Sequence, residues 1–298
     1  MKEILCIFRF NLIKLDTMKK ILVLLMLAGM ILPLMSQEYI PSREDLEKFF
    51  KTKTLVVLDR NPLNTYDGQI EEAMQNEWTL TEFDFIPYEE FEEKRKDPNY
   101  SFIMLVNVTF EKDKLNASYK FLNLMLGGKY WDMSLMPDLV SIPVGYKNVD
   151  EESYNYKLGI LVRFMQNHLK LMYDNPDIVK KNIFKYYNDN RGDMTDKTIY
   201  FIESELAKDV NTLPRINKIY DGKVEIVSKE EIKEAIMYKK DDVVFLHKVG
   251  PEGTRFNARC YNILIGAGDA NFYYFDYFMI DEKNPDGFRA KDFKKLSK

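Results

Sequence analysis

Short apolar runs, alternating stretches and helical stripes follow one another along this chain in an order that occurs twice. Residues 55–58 and 102–106 are continuous apolar runs of the kind buried in a sheet covered on both faces. Residues 83–86 alternate and then pass into helical spacing at Pro87-Tyr88-Glu89-Glu90. Residues 224–227 do the same before Ser228-Lys229-Glu230-Glu231, where Ser228 with Glu231 three residues on reads as a capping box. Pro87 reads as the matching start signal in the first case. Polar turns at 111–114 and 250–253 join the later strands and predict antiparallel hairpins.

Laid against itself, the chain matches at an offset of 141, with residues 102–105 on 243–246, Leu122 on Ile263, Leu124 on Ile265 and Gly127 on Gly268. Upstream the offset is 144, placing residues 54–59 on 198–203. The pattern predicts strands over 53–58, 80–86, 101–110, 117–126 and 129–135, with helices over 66–77 and 88–96. In the second copy it predicts strands over 197–203, 223–227, 242–249, 257–265 and 271–280, with helices over 211–219 and 228–239. Apolar residues at Tyr154, Leu158, Leu161, Val162, Met165, Leu169 and Met172 form a helical stripe between the copies, and Pro176 opens a second helix. The expected fold is α/β (α+β): two tandem copies of a βαβαβββ unit with mixed sheets, joined by a helical connector that packs across both. The expected divisions are an upstream extension and signal peptide (1–36), a first repeat (37–149), the connector (150–196) and a second repeat (197–298).

The N-terminus changes the picture of where the protein works. Lys19-Lys20 precedes an apolar stretch over 21–35 and a cleavage point at Ser36-Gln37. About 15 apolar residues suit a secretory signal better than a membrane span, which needs roughly 20. Met18 opens a complete signal by itself. The expectation is an exported protein of a Gram-negative periplasm or cell surface. Removing 1–36 takes away five basic and two acidic residues and moves the net charge from −4 to −7. Such a balance repels phosphate backbones, so nucleic acid is a poor partner. Cys6 leaves with the leader, and Cys260 alone allows no intramolecular disulfide. With 46% hydrophobic and 14% aromatic residues the remainder can bury a substantial core.

Candidate chemistry is sparse. No nucleophile elbow, P-loop, dinucleotide glycine pattern or His-Glu-x-x-His occurs. His168, His247 and Cys260 read as structural, with no metal or cofactor expected. The carboxyl ends of parallel strands are where ligands gather in α/β sheets, which makes Asp59-Arg60-Asn61 and Glu203 candidate ligand-binding residues, against a turn-capping reading. The aromatic stretch 272–278, with Tyr274 in it, and Tyr130-Trp131 at the matching place in the first copy, reads as a doubly covered strand or a binding face. Arg191-Gly192-Asp193 and the glycosylation-like triplets at Asn99, Asn107 and Asn116 read as chance.

The order strand-helix-strand-helix-strand-strand resembles, in outline, the thioredoxin-like fold and the N-terminal domain of periplasmic assembly proteins of the TolB and curli-secretion kind. No Cys-x-x-Cys stands where the first would carry its redox pair. Leader and composition also resemble secreted proteins of Bacteroidetes-type bacteria, a resemblance that implies no activity. The functional expectation is a non-catalytic protein that binds another protein or an envelope component. The alternatives are a hydrolase using Asp59 and Glu203, and a small-molecule carrier with its site between the repeats.

Overall fold

The computed structural model describes residues 39–61, 64–110, 117–147, 149–178, 183–251 and 258–297; the leader and Asn116 lie outside them. A short helix α1 (Arg43–Phe49) leads into the first sheet, capped by Ser42 and Asp45 in a reciprocal box. Then follow β1 (Lys53–Leu58), α2 (Tyr66–Glu77), β2 (Phe83–Pro87), α3 (Tyr88–Lys94), β3 (Tyr100–Thr109), β4 (Ser118–Leu126) and β5 (Asp138–Tyr146). Two 3-10 turns lead to α4 (Leu158–Asp174), followed by α5 (Ile183–Asp189). The second sheet is built from β6 (Thr198–Phe201), α6 (Leu213–Ile216), β7 (Lys223–Ile226), α7 (Lys229–Met237), β8 (Val243–Val249), β9 (Arg259–Gly266) and β10 (Phe272–Met279), closed by α8 (Ala290–Leu296). No helix among the described residues is long and apolar enough to cross a membrane.

The sheet orders are β2-β1-β3-β4-β5 and β7-β6-β8-β9-β10, with the first three strands of each parallel and the last two joined antiparallel. Two units of one βαβαβββ topology are therefore present. Face and register correct the alignment. Val56 and Leu58 match Ile199 and Phe201, an offset of 143 rather than 144. Leu105 faces Leu122 where Leu246 faces Leu264, so the fourth strands are offset by 142 rather than 141. Leu122 faces Ile142 and Leu264 faces Tyr274, so the fifth strands are offset by 132. Ten extra residues between β4 and β5 explain why the expected strand over 129–135 is instead a loop with a 3-10 turn at Met133–Leu135.

The units stack with unlike faces together. On the first sheet, Val56, Leu58, Ile103, Leu122 and Leu124 pack with α2 in the central core, whereas Leu55, Val57, Phe102 and Met104 pack with Phe91 of α3 on the outside. On the second sheet the order is reversed. Val243, Phe245, Ile263 and Ile265 join Ile232 and Ala235 of α7 in the central core, while Ile199, Phe201, Val244 and Leu246 pack outward with Ile216, Phe293 and Leu296. The face of the first crossover helix in one unit thus meets the face of the second crossover helix in the other. This is a head-to-tail stack, and apolar side chains fill its middle.

Helix α4 spans the junction, as its sequence stripe predicted. Its Gln166 Nε2 donates to Glu77 O at 2.7 Å and its Oε1 accepts from Thr79 N at 2.7 Å, tying it to the first unit. On the other side Arg163 donates to Ala267 O and Gly268 O at 2.7 and 2.8 Å, and Phe164 stacks on Phe272 with centroids 3.5 Å apart. Over its own sheet α4 holds the place that α8 holds over the second.

Candidate functional site

The first sheet splits at the carboxyl end of its parallel strands. β1 and β3 pair only from Lys53↔Tyr100 to Val56↔Ile103. Beyond that point β1 stays with β2 as far as Leu58↔Pro87, and β3 stays with β4 as far as Thr109↔Ser118. The divergence opens a cleft of about 360 Å³, at the place where α/β sheets hold ligands. Leu58, Met104, Leu105 and Met133 supply apolar wall; Asp59, Asn64, Tyr66, Asn107, Lys120 and Glu151 supply the polar groups; Tyr88 stands at the side, half exposed.

The loop after β1 is pinned by one carboxylate. Asp67 accepts from Asp59 N at 3.0 Å and Arg60 N at 2.7 Å, holding Arg60 at φ 55° in the left-handed region. Asn64 then donates its side-chain amide to Asp59 Oδ2 at 2.9 Å, which commits its nitrogen and leaves its Oδ1 buried without a partner among the described residues. The hydroxyl of Tyr66, whose side chain is 3% exposed, also has none, and burial raises its pKa far above the ordinary phenol. Asn155 repeats the pattern behind the loop, donating to Thr65 Oγ1 at 2.7 Å with its Oδ1 unpartnered. Buried polar atoms without partners are rare enough to require an explanation, and an absent ligand or water is one.

Lys120 is the cation of the cleft, and Glu151 already holds it in a short ion pair. Burial works against its charge, but the hydrogen bond and field of Glu151 outweigh it and raise its pKa. Glu151 Oε2 also accepts from Thr65 N at 3.4 Å, so the segment after β5 closes over one side of the cleft.

The second unit splits at the same place, with β6 and β8 paired only as far as Tyr200↔Phe245, but there the gap is filled. By register Lys248 and Asn262 stand where Asn107 and Lys120 stand in the first unit. Lys248 is buried against Asp286 at 2.7 Å, Asn262 donates to Gly287 O at 3.2 Å, and Leu206 pairs with Phe288 as an isolated bridge. Buried Lys157 faces Glu205 at 3.8 Å. The chain's own C-terminal segment occupies the counterpart of the first cleft.

Of the residues expected from sequence, Asp59 lines the cleft. Arg60 leans on Glu71 at 3.8 Å, and Asn61 accepts from Asn64 N through its carbonyl; both serve the turn. Glu203 is exposed in a 3-10 turn, one position past the counterpart of Asp59. Tyr130 is half-buried with its carbonyl taken by Arg95 at 3.0 Å, and Trp131 is 84% exposed on the ten-residue insertion rather than on a strand. Tyr274 is 1% exposed and donates to Asp292 at 2.9 Å, although it edges a second groove of about 680 Å³ between α5, β10 and Lys295. The charges of that groove are matched among themselves, Lys295 with Asp276 and Lys185 with Asp189. Asn64, Tyr66, Asn107, Lys120 and Glu151 were not foreseen. Their sequence signal was present in Asn107 and Lys120, polar interruptions of apolar strands in matched register. Among the described residues no group of three or more His, Cys, Asp or Glu is placed to hold a metal ion. No family model, curated protein or solved structure matches this chain.

Proposed function

We propose that the chain is an exported, non-catalytic binding protein whose ligand site is the strand-end cleft of the first unit. The observation that carries the reading is the pairing of an open split between β1 and β3 with buried, unpartnered polar atoms of Asn64 and Tyr66 in its wall. Asp59 is engaged by Asn64, and Lys120 by Glu151, which favours recognition over proton transfer. The leader over 1–36 motivates the export.

The test is native mass spectrometry of the protein purified from the envelope of its own host, alongside Asn107→Trp. A small mass on the wild type that is absent from a folded Asn107→Trp protein supports the reading. A protein partner retained equally by both would move the site elsewhere and favour a protein-binding module. Turnover of an envelope component that Asp59→Asn abolishes would establish the hydrolase instead.

A further inference from the structure

We infer that the cleft takes a neutral, hydroxyl-bearing ligand of mono- to disaccharide size; this rests on the reading of the cleft as a ligand site. The two orphaned groups have complementary needs. Asn64 Oδ1 only accepts, because its amide nitrogen already donates to Asp59. Tyr66 carries a hydroxyl proton that has no acceptor among the described residues. A carboxylate or phosphate offers acceptors and would leave Asn64 unsatisfied. An ammonium offers donors and would leave the Tyr66 proton unsatisfied. A ligand hydroxyl both donates and accepts, and so meets both needs with one type of group.

Charge points the same way. An anion would find Lys120 already neutralised by Glu151 and would sit beside Asp59. Size and shape agree. A cleft of about 360 Å³ is at the small end of ligand sites, with Leu58, Met104, Leu105 and Met133 against which the C–H face of a sugar can lie. The Tyr88 ring, 49% exposed at the wall, offers an aromatic stacking surface. The counterpart site in the second unit follows the opposite chemistry. There Lys248 receives a carboxylate from the chain itself, so the exchange of Lys248 for Asn107 removes the feature that would bind an acid.

The experiment is saturation-transfer NMR and calorimetry on the full chain. The neutral panel is glucose, galactose, mannose, N-acetylglucosamine, maltose and lactose; the charged counterparts are glucosamine, glucuronate and glucose 6-phosphate. At least one neutral sugar is expected to bind. Its Kd is expected to rise about tenfold in Tyr66→Phe, as loss of one buried hydrogen bond implies. Tyr88→Ala, at a half-exposed position, should weaken the same sugar and leave the melting temperature in place. Binding confined to a charged counterpart overturns the inference and leaves the cleft as the site. Neutral binding that Tyr66→Phe, Tyr88→Ala and Asn107→Trp all leave unchanged overturns both. No binding by any neutral sugar overturns the inference, while the small mass from native material decides the cleft independently.

Discussion

His168 and His247 stay uncharged inside the core for related reasons. His168 lies beside Phe164 with its Nδ1 2.7 Å from the Tyr187 hydroxyl, and burial lowers its pKa to about 4. His247 donates from Nε2 to Pro143 O at 2.8 Å; burial, reinforced by the positive charge of Lys157, lowers its pKa to about 3. Unfolded histidines take up protons near pH 6.5, so between there and about 4 the unfolded chain binds more protons and stability falls as pH falls. The slope approaches roughly 1.4 kcal/mol per pH unit for each histidine. Asp138 opposes this. Burial raises its pKa to about 7 against the hydrogen bonds of Ser141 and Val140, so its contribution is greatest at low pH and is lost as pH rises from about 4 through 7. Thermal unfolding followed from pH 7 to 4.5 should show falling stability, and Asp138→Asn should steepen the fall; a flatter profile in that variant would contradict the assignment. Cys260 is fully buried and its thiol pKa is raised, with burial as the main cause. The native protein should therefore resist iodoacetamide at pH 8 and react once unfolded. Labelling of the native chain at the rate of a free thiol would mean the second sheet is not packed as described.

Among the elements, β10 shows how a sheet edge is finished. It is the outermost strand, and at Phe275 the Asn188 side chain of the loop-ward end of α5 stands in for a neighbouring strand, donating to Phe275 O at 2.7 Å and accepting from Phe275 N at 2.9 Å. Asn188→Ala should cost about 1–2 kcal/mol in chemical denaturation and speed hydrogen exchange at Phe275; unchanged exchange would assign that protection to something else. Arg191, next along, donates to Lys295 O and Leu296 O at the end of α8, a structural use of the residue that opens the adhesion-like tripeptide. These same elements show what the sequence made legible. The strands with strong apolar runs and the helices started by Pro87 and Ser228 were readable, because periodicity and caps are local signals. The fifth strand of the first unit was misplaced because a fixed offset carries it into the ten-residue insertion, where Tyr130 and Trp131 imitate the aromatic strand β10. α1 and α8 were too short for a stripe to be read. In the cleft, Asp59 was legible because it ends an apolar strand. Tyr66 and Asn64 were not, since their meaning comes from which hydrogen bonds they lack, a property of the folded chain alone.

As a whole molecule, the chain is two repeats that share one interior. The central core draws side chains from both sheets and from α4, so neither repeat buries its inner face by itself. Unfolding is expected to be a single cooperative transition, coincident by fluorescence and circular dichroism; two separated transitions would contradict the shared core. The outer face of the second repeat depends on α8, where Asp292, 0% exposed, accepts from Arg289, Tyr274 and Asn262. Asp292→Ala strips three buried donors of their acceptor and should cost roughly 3–5 kcal/mol, read as a shifted denaturation midpoint; a loss below about 1 kcal/mol would place α8 outside the folded unit. The asymmetry between the repeats carries the functional account, since one strand-end split is plugged by the chain's own C-terminal segment and the other is open.

That asymmetry is tested most directly by a crystal structure of the protein purified from its own host. The account predicts density for a small molecule between β1 and β3, within hydrogen-bond distance of Tyr66 Oη and Asn64 Oδ1, with Asp286 still seated on Lys248 in the second repeat. A closed first cleft, with the Tyr66 hydroxyl and the Asn64 oxygen bonded to the protein itself, would contradict it.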